Sequence, residues 1–271
     1  MPEKPKRFKL EPKQLRIYGV VGAVVGIYLA AALNAATGTN IFSFIGSLAA
    51  IGGVLWGANA IRRVCSYGLG TGVPAMGMLA LGMASVASLF GLNIAEQFGV
   101  GFLGPIIALV YSAIFGYIIG LLCNRVMHFN IPIMEEGMLD ISAAGTLAIL
   151  GWSMTLAGTI SYTVVVKDVF NTGFLAIIFI LGGMAIFHPF NANLGPDEKQ
   201  DRTLVDGLMV SGVAMVALGI CSLATLGLSA ALVTIVVGFA VWYYNYVWYF
   251  RLCKADASAV VGTGLLPPSA Q

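Results

Sequence analysis

The chain has 271 residues, of which 59% are hydrophobic and only 10% are charged. Soluble domains carry about 25% charged residues, so this sequence lacks the charge that a water-facing surface needs. The composition therefore excludes a soluble enzyme, a disordered chain and a nucleic-acid-binding protein. The net charge of +2 is less informative than the positions of the individual charges.

Charge-free stretches divide the chain into eight predicted membrane spans. A helix needs roughly 20 apolar residues to cross a hydrocarbon core about 30 Å thick. The stretches Ile17–Ile61 and Gly207–Phe250 contain 45 and 44 residues, so each must fold into a helical hairpin. The predicted spans are 17–35, 41–60, 74–94, 102–122, 141–160, 171–187, 207–226 and 230–250. We therefore predict an all-α fold, a polytopic integral membrane helix bundle arranged as hairpins.

The positions of Lys and Arg predict how these spans are oriented. Cytoplasmic segments of membrane proteins carry an excess of Lys and Arg. With a cytoplasmic N-terminus, thirteen of the fourteen basic residues lie on the inner side, and Lys167 alone lies outside. This pattern predicts a multi-pass cell-membrane protein with both termini cytoplasmic. Its parts are a basic tail at 1–16, a helix bundle at 17–250 and a C-terminal tail at 251–271.

Membrane lipids are expected partners at both ends of the chain. The basic tail is suited to anionic headgroups. The last span ends in a cluster of Trp and Tyr residues between 242 and 249, followed by Phe250 and Arg251. Aromatic rings beside a basic residue are typical of the headgroup zone. We interpret the cluster as an interfacial anchor in preference to a cofactor-stacking site.

Glycines at four-residue spacing predict close contact between helices. Such pairs allow two helix backbones to approach each other, and they indicate a tight bundle with lateral partners rather than a wide pore. The pairs are Gly22 and Gly26, Gly53 and Gly57, and Gly116 and Gly120.

The sequence shows no catalytic machinery of its own. His128 and His188 are isolated from each other and from cysteines at metal-ligand spacing, so no metal site is predicted. No nucleophile–base pair is recognisable either. We expect no cofactor to be bound by this chain alone and no catalytic residue in it.

Three carboxylates are the candidates for an ion pathway. Glu136 and Asp140 lie four residues apart at the start of the fifth span, and Glu96 lies at the outer end between the third and fourth. Like charges at that spacing repel weakly, and a hard cation such as sodium prefers oxygen ligands. The alternative is a solvated acidic helix start that the helix dipole favours.

The polar segment at 188–204 is long for a connection between membrane helices. Function concentrates on such loops, and its mixed charge predicts docking to a partner through His188, Asn191, Asp197 and Arg202. A cap that closes the bundle without a partner fits the same residues, so both interpretations stay open.

Three blocks of the sequence resemble the C subunit of tetrahydromethanopterin S-methyltransferase: Ala60–Pro74, Ile131–Glu136 and the polar segment at 188–204. The likeness extends in scattered blocks over roughly 17–250. It implies a membrane subunit of a complex that transfers a methyl group from methyl-tetrahydromethanopterin to coenzyme M in methanogenesis and exports sodium. It also implies other membrane subunits and a corrinoid-carrying subunit as partners. Corrinoid, tetrahydromethanopterin, coenzyme M and sodium are then expected at the level of the complex.

This resemblance adds an anion to the ligands that the chain is expected to meet. Coenzyme M is a sulfonate, and Arg62 and Arg63, beside the glycine-rich turn at 68–72, are the candidate contacts for it. The alternative function is an independent secondary transporter or channel of small ions. A broken helix with polar groups at the membrane midplane would favour a transporter, and the sequence shows no such helix.

Overall fold

The computed structural model describes residues 7–67, 72–193 and 199–260. Within them lie nine α-helices and no β-strand. The helices are α1 (Pro12–Thr37), α2 (Phe44–Cys65), α3 (Gly72–Gln97), α4 (Gly104–Leu121), α5 (Met134–Ala157), α6 (Tyr162–Val165), α7 (Phe174–Ala192), α8 (Gln200–Thr225) and α9 (Leu228–Val260). All but the short α6 are long and apolar enough to cross a membrane, which makes eight candidate spans. The predicted all-α bundle is confirmed.

Helix α5 lies at the centre of the bundle. Its most apolar 18-residue stretch is 94% buried inside the protein, against 28% for α1 and for α9. It packs mainly against α2 and α4, and also against α3 and α1. An internal helix of this kind is apolar on all sides, and its mainly small and aliphatic side chains fit that position.

Three of the predicted hairpins consist of helices that pack closely against each other: α1–α2, α3–α4 and α8–α9. The helices of the remaining pair, α5 and α7, make only a small contact with each other. The segment between them contains α6 and a π-helical turn at Val166–Phe170. This longer connection places α7 against α8 and α2. The bundle is therefore organised around α5 rather than as a row of four equal hairpins.

Glycines bring α2 and α4 close to α5. A Cβ atom on Gly53 would lie 2.5 Å from the carbonyl oxygen of Ala144, and one on Gly116 would lie 2.6 Å from that of Met138. Any side chain there would push the helices apart. Gly22, by contrast, faces open space, so it does not bring α1 close to another helix of the described chain.

Buried hydroxyl groups also link α5 to its neighbours. Ser142 and Ser112 of α4 are hydrogen-bonded at 2.8 Å. Thr155 and Ser47 of α2 are hydrogen-bonded at 2.7 Å. Hydrogen bonds of this type between membrane helices contribute on the order of 0.6 kcal/mol each.

Several helices extend beyond their predicted spans at one end of the bundle. At this end, named the charged end, α1, α5 and α8 begin and α2, α7 and α9 end. Helix α5 begins at Met134 rather than 141, α8 begins at Gln200 rather than 207, and α9 continues past 250 to Val260. The added turns contain charged residues that pair with other helices. A charge-free stretch therefore predicts the apolar part of a helix but not its full length.

Candidate functional site

Four charged residues from three helices form a cluster at the charged end. Asp140 and Glu136 lie one turn apart on the same face of α5. Arg16 of α1 contacts both: its Nε and Nη2 atoms lie 3.0 Å from the two Asp140 oxygens. Its Nη2 atom also lies 2.8 Å from Glu136 Oε1. Arg63 of α2 lies 3.4 Å from Glu136 and 3.9 Å from Asp140. These residues are named the Asp140 cluster.

The two carboxylates of the Asp140 cluster differ in exposure. The Asp140 side chain is 3% exposed, whereas that of Glu136 is 45% exposed. A buried carboxylate is stable only when it is paired and hydrogen-bonded, which explains the two-point contact with Arg16. The structure thus brings the two predicted acidic residues together with two guanidinium groups of opposite charge, so the four formal charges cancel.

A second cluster joins the N-terminal segment to α8 and α9. Asp256 of α9 is hydrogen-bonded to Arg7, to Lys199 Nζ at 2.6 Å and to Arg202 Nη1 at 3.5 Å. Arg7 also lies 3.2 Å from Asp201. Burial alone would lower the pKa of Arg7, but its hydrogen bond to Asp256 and the charge of Asp201 raise that pKa above its usual value. These residues are named the Asp256 cluster.

Arg62 and Arg63 point to different surroundings. Arg62 Nη2 donates to Asn59 Oδ1 at 3.3 Å, and Gln200 Nε2 donates to the same oxygen at 2.8 Å. Gln200 also donates to the Leu10 carbonyl at 2.9 Å. Beside them lies a cavity of about 370 Å³, lined by Phe8, Lys9, Arg62, Lys199, Gln200 and Asp201. Arg62 therefore borders a cation-rich cavity, whereas Arg63 belongs to the Asp140 cluster.

The predicted docking residues fall into two groups. His188 and Asn191 are exposed in the last two turns of α7. The Arg202 side chain is only 16% exposed. It contacts Asp256 and donates to the Asn193 carbonyl at 3.3 Å. Asp197 lies outside the described residues.

Asp206 is a buried carboxylate that the sequence reasoning missed. It is 1% exposed, and its Oδ2 atom accepts a hydrogen bond from Asn193 Nδ2 at 3.2 Å. The Tyr249 hydroxyl donates to Asn193 Oδ1 at 3.0 Å. Asp206 Oδ1 has no hydrogen-bond partner in the described part of the chain. Its place as the last charge before a 44-residue charge-free stretch was a usable signal.

Glu96 lies at the opposite end of the bundle. Its Oε1 atom accepts a hydrogen bond from the Thr163 hydroxyl at 2.7 Å. The three predicted acidic residues are therefore divided between the two ends. In residues 7–67, 72–193 and 199–260, no three His, Cys, Asp or Glu side chains are placed to hold a metal ion.

Fold and site together define a class: a polytopic α-helical protein with eight helices suited to membrane spans and with ion-paired charges at the helix ends. The family model for the C subunit of tetrahydromethanopterin S-methyltransferase matches residues 2–270. The chain belongs to this family, and the resemblance seen in the sequence is confirmed.

Relatives in three methanogen genera are described in the same words, as the C subunit of tetrahydromethanopterin S-methyltransferase. The protein from Methanosarcina mazei is 49% identical over 257 residues, covering 94% of this chain and 92% of the relative. That from Methanocaldococcus jannaschii is 36% identical, with 94% and 93% covered. That from Methanothermobacter thermautotrophicus is 35% identical, with 97% and 96% covered. The likeness extends over nearly the full length of each relative.

Proposed function

We propose that this chain is a non-catalytic subunit in the membrane sector of a sodium-pumping complex that transfers a methyl group from methyl-tetrahydromethanopterin to coenzyme M. Family membership supports the assignment to a methyltransferase complex. The non-catalytic role is supported by one observation: the charged residues at the charged end are paired with one another. The Asp140 and Asp256 clusters join separate helices through ion pairs, so these groups stabilise the bundle.

The charged end faces the cytoplasm in this proposal. Its clusters contain Arg7, Arg16, Arg63, Lys199 and Arg202, whereas Lys167 at the opposite end is 82% exposed. Basic residues are enriched on the cytoplasmic side of membrane proteins. Labelling of a cysteine placed at 199 or 254 from the cytoplasmic side tests this orientation, and labelling of either position from outside contradicts it.

Sodium passes the Asp140 cluster at the cytoplasmic mouth and Glu96 at the outer end in this proposal. Glu136 is the first contact because its carboxylate is the exposed member of the cluster. Arg16 and Arg63 neutralise the carboxylates when no cation is present. The opposite charges keep the mouth from binding sodium too tightly to release it.

The test is methyl transfer by the whole complex in vesicles at varied sodium concentration. Glu136→Gln should raise the sodium concentration for half-maximal transfer several-fold. Glu135→Gln is the matched control, since Glu135 lies on the same turn of α5 but is hydrogen-bonded to Asn124. An unchanged sodium dependence in Glu136→Gln would place the ion route in other subunits.

Coenzyme M contacts the cavity beside Arg62 in this proposal. Lys9, Arg62 and Lys199 supply positive charge around it, which suits a sulfonate. Arg62→Gln should raise the coenzyme M concentration needed for half-maximal methyl transfer by the complex. Arg63→Gln is the control because Arg63 is paired with Glu136. Equal effects of the two variants would argue against a sulfonate site at Arg62.

The exposed end of α7 docks the corrinoid-carrying subunit in this proposal. His188 and Asn191 are exposed to a partner there, while Arg202 supports the surface from inside through Asp256. Asp197 belongs to the same proposal by its place in the sequence alone. Substituting His188 and Asn191 together by Ala should lower the cobalt content of the complex purified through this chain. An unchanged cobalt content, with the bundle folded, would argue against docking at α7.

A further inference from the structure

A groove opens at the charged end between α1 and α4, with α5 as its floor. Its volume is about 660 Å³. Helix α4 lines it with four residues at four-residue spacing, and α1 and α5 add Val20 and Leu139. The four residues of α4 are Leu109, Ala113, Tyr117 and Leu121. This space is named the α1–α4 groove.

The groove is bounded toward the opposite end of the bundle. There the Tyr28 hydroxyl of α1 donates a hydrogen bond to the Phe102 carbonyl just before α4. Along α4 the lining residues run from Leu109 to Leu121, a rise of about 18 Å at about 1.5 Å per residue. A groove of this length that is lined by apolar side chains and opens at the charged end suits an extended hydrocarbon chain.

The mouth of the groove continues into a second cavity that is polar. This cavity of about 460 Å³ includes Asn124 and Asn130. It shares Arg125, Pro132 and Glu135 with the α1–α4 groove. An apolar space and a polar space thus meet at Arg125. A ligand that fills both must itself be amphipathic.

Among the described residues at the mouth of the groove, Arg125 is a basic side chain without an ion pair. It is exposed and makes no ion pair with any of them, whereas Arg16 beside it is paired with Glu136 and Asp140. Glu135 already accepts a hydrogen bond from Asn124 at 2.8 Å. A guanidinium group with free donors binds phosphate through two parallel hydrogen bonds. Basic pockets between membrane helices are typical sites for anionic lipid headgroups.

The geometry points to a site for one anionic, phosphate-headed membrane lipid, with a hydrocarbon chain in the α1–α4 groove and its phosphate at Arg125. This site borders Arg16 and Glu136 of the Asp140 cluster and is separate from the cavity at Arg62. The bound lipid fills the gap between α1 and α4 at the charged end, above the floor that α5 provides.

Trp56 provides a built-in reporter for the test. It lines the groove yet is only 3% exposed, so bulk lipid is largely kept from it. In the full chain carrying Trp152→Phe, Trp242→Phe and Trp248→Phe, Trp56 is the remaining tryptophan. The chain is placed in nanodiscs containing phosphatidylglycerol or phosphatidylcholine with brominated acyl chains, and quenching of Trp56 fluorescence is measured.

Brominated phosphatidylglycerol should quench Trp56 at a several-fold lower mole fraction than brominated phosphatidylcholine. Arg125→Gln should remove this preference, and Ala113→Phe should block quenching by filling the groove. The matched controls are Arg251→Gln, at another exposed arginine of the same end, and Ile114→Phe, on the outer face of α4. Both should behave as the parent chain.

Three results would overturn the proposal. Equal quenching by the two lipids, or a preference that Arg125→Gln leaves intact, would show that the groove has no anionic-lipid site. Arg125 is exposed, so this variant is informative even if Ala113→Phe does not fold. A photocrosslinker attached through Tyr117→Cys in the purified complex should label lipid, and labelling of another subunit instead would mean that a protein segment occupies the groove.

Discussion

Removing Arg16 should destabilise the bundle more than removing any other basic residue of the N-terminal segment. Asp140 is 3% exposed and is held by two hydrogen bonds from Arg16, each 3.0 Å long. Leaving a buried charge without its partner costs about 3–5 kcal/mol. Arg63 stays 3.9 Å away and offsets part of this cost. We therefore expect Arg16→Gln to lower the free energy of unfolding by about 3 kcal/mol, roughly a 100-fold change in the unfolding equilibrium.

Unfolding in mixed detergent micelles, followed by circular dichroism, measures this free energy. Lys13→Gln is the control because Lys13 is exposed on the same helix and should change the value by less than about 0.5 kcal/mol. Adding Asp140→Asn to Arg16→Gln should recover much of the loss, since no buried charge then lacks a partner. If Arg16→Gln behaves like Lys13→Gln, or if the double variant is no more stable than Arg16→Gln, the pair is not a buried structural contact.

Three further outcomes follow from the contacts, all measured in the same unfolding assay. Gly53→Val should cost about 1–3 kcal/mol by overpacking, because a Cβ there would lie 2.5 Å from the Ala144 carbonyl. Gly22→Val, which faces open space, should cost less than about 0.5 kcal/mol, and equal costs would refute the packing argument. Ser112→Ala should cost about 1 kcal/mol because it leaves the Ser142 hydroxyl without its partner; no loss would mean that Ser142 finds another. Arg7→Gln should cost about 1–2 kcal/mol, and unchanged stability would mean that the N-terminal segment does not hold α8 and α9 together.

The number and type of the helices could be predicted from the sequence because charge and hydropathy are local properties. Each span lies inside a charge-free stretch, and the turns within the two longest stretches were marked by polar residues or glycine. The limits of α5 and α8 could not be predicted in this way. Their first two turns carry Glu136, Asp140 and Asp201, whose partners are arginines more than 100 residues away in the sequence. They also carry Asp206, whose partner Asn193 precedes α8.

The site was predicted in its residue types but not in its pairings. Glu136 and Asp140 were recognised as neighbours on one helix face, because that depends only on spacing. Their contact with Arg16 spans more than 100 residues of sequence. The basic N-terminal tail was interpreted as a headgroup contact, whereas Arg16 and Arg7 lie against buried carboxylates. Nothing in the local sequence distinguishes a basic residue that faces lipid from one that pairs inside the bundle.

Because α5 lies at the centre of the bundle, the ion pairs of the Asp140 cluster join outer helices to that centre. Helices α2 and α4 approach α5 through glycines, so their spacing is fixed along much of their length. Helix α1 is mostly exposed, and its close contacts are with α2, where Gly19 and Gly26 lie against Gly52 and Ala49. At the charged end, the pairing of Arg16 with Glu136 and Asp140 joins α1 directly to α5. Any ligand that competes for Glu136 or Asp140 would act on this contact between α1 and the centre of the bundle. A cation bound at Glu136, as proposed above, would compete with Arg16 for the same carboxylates, so cation binding and the contact of α1 with α5 would be linked.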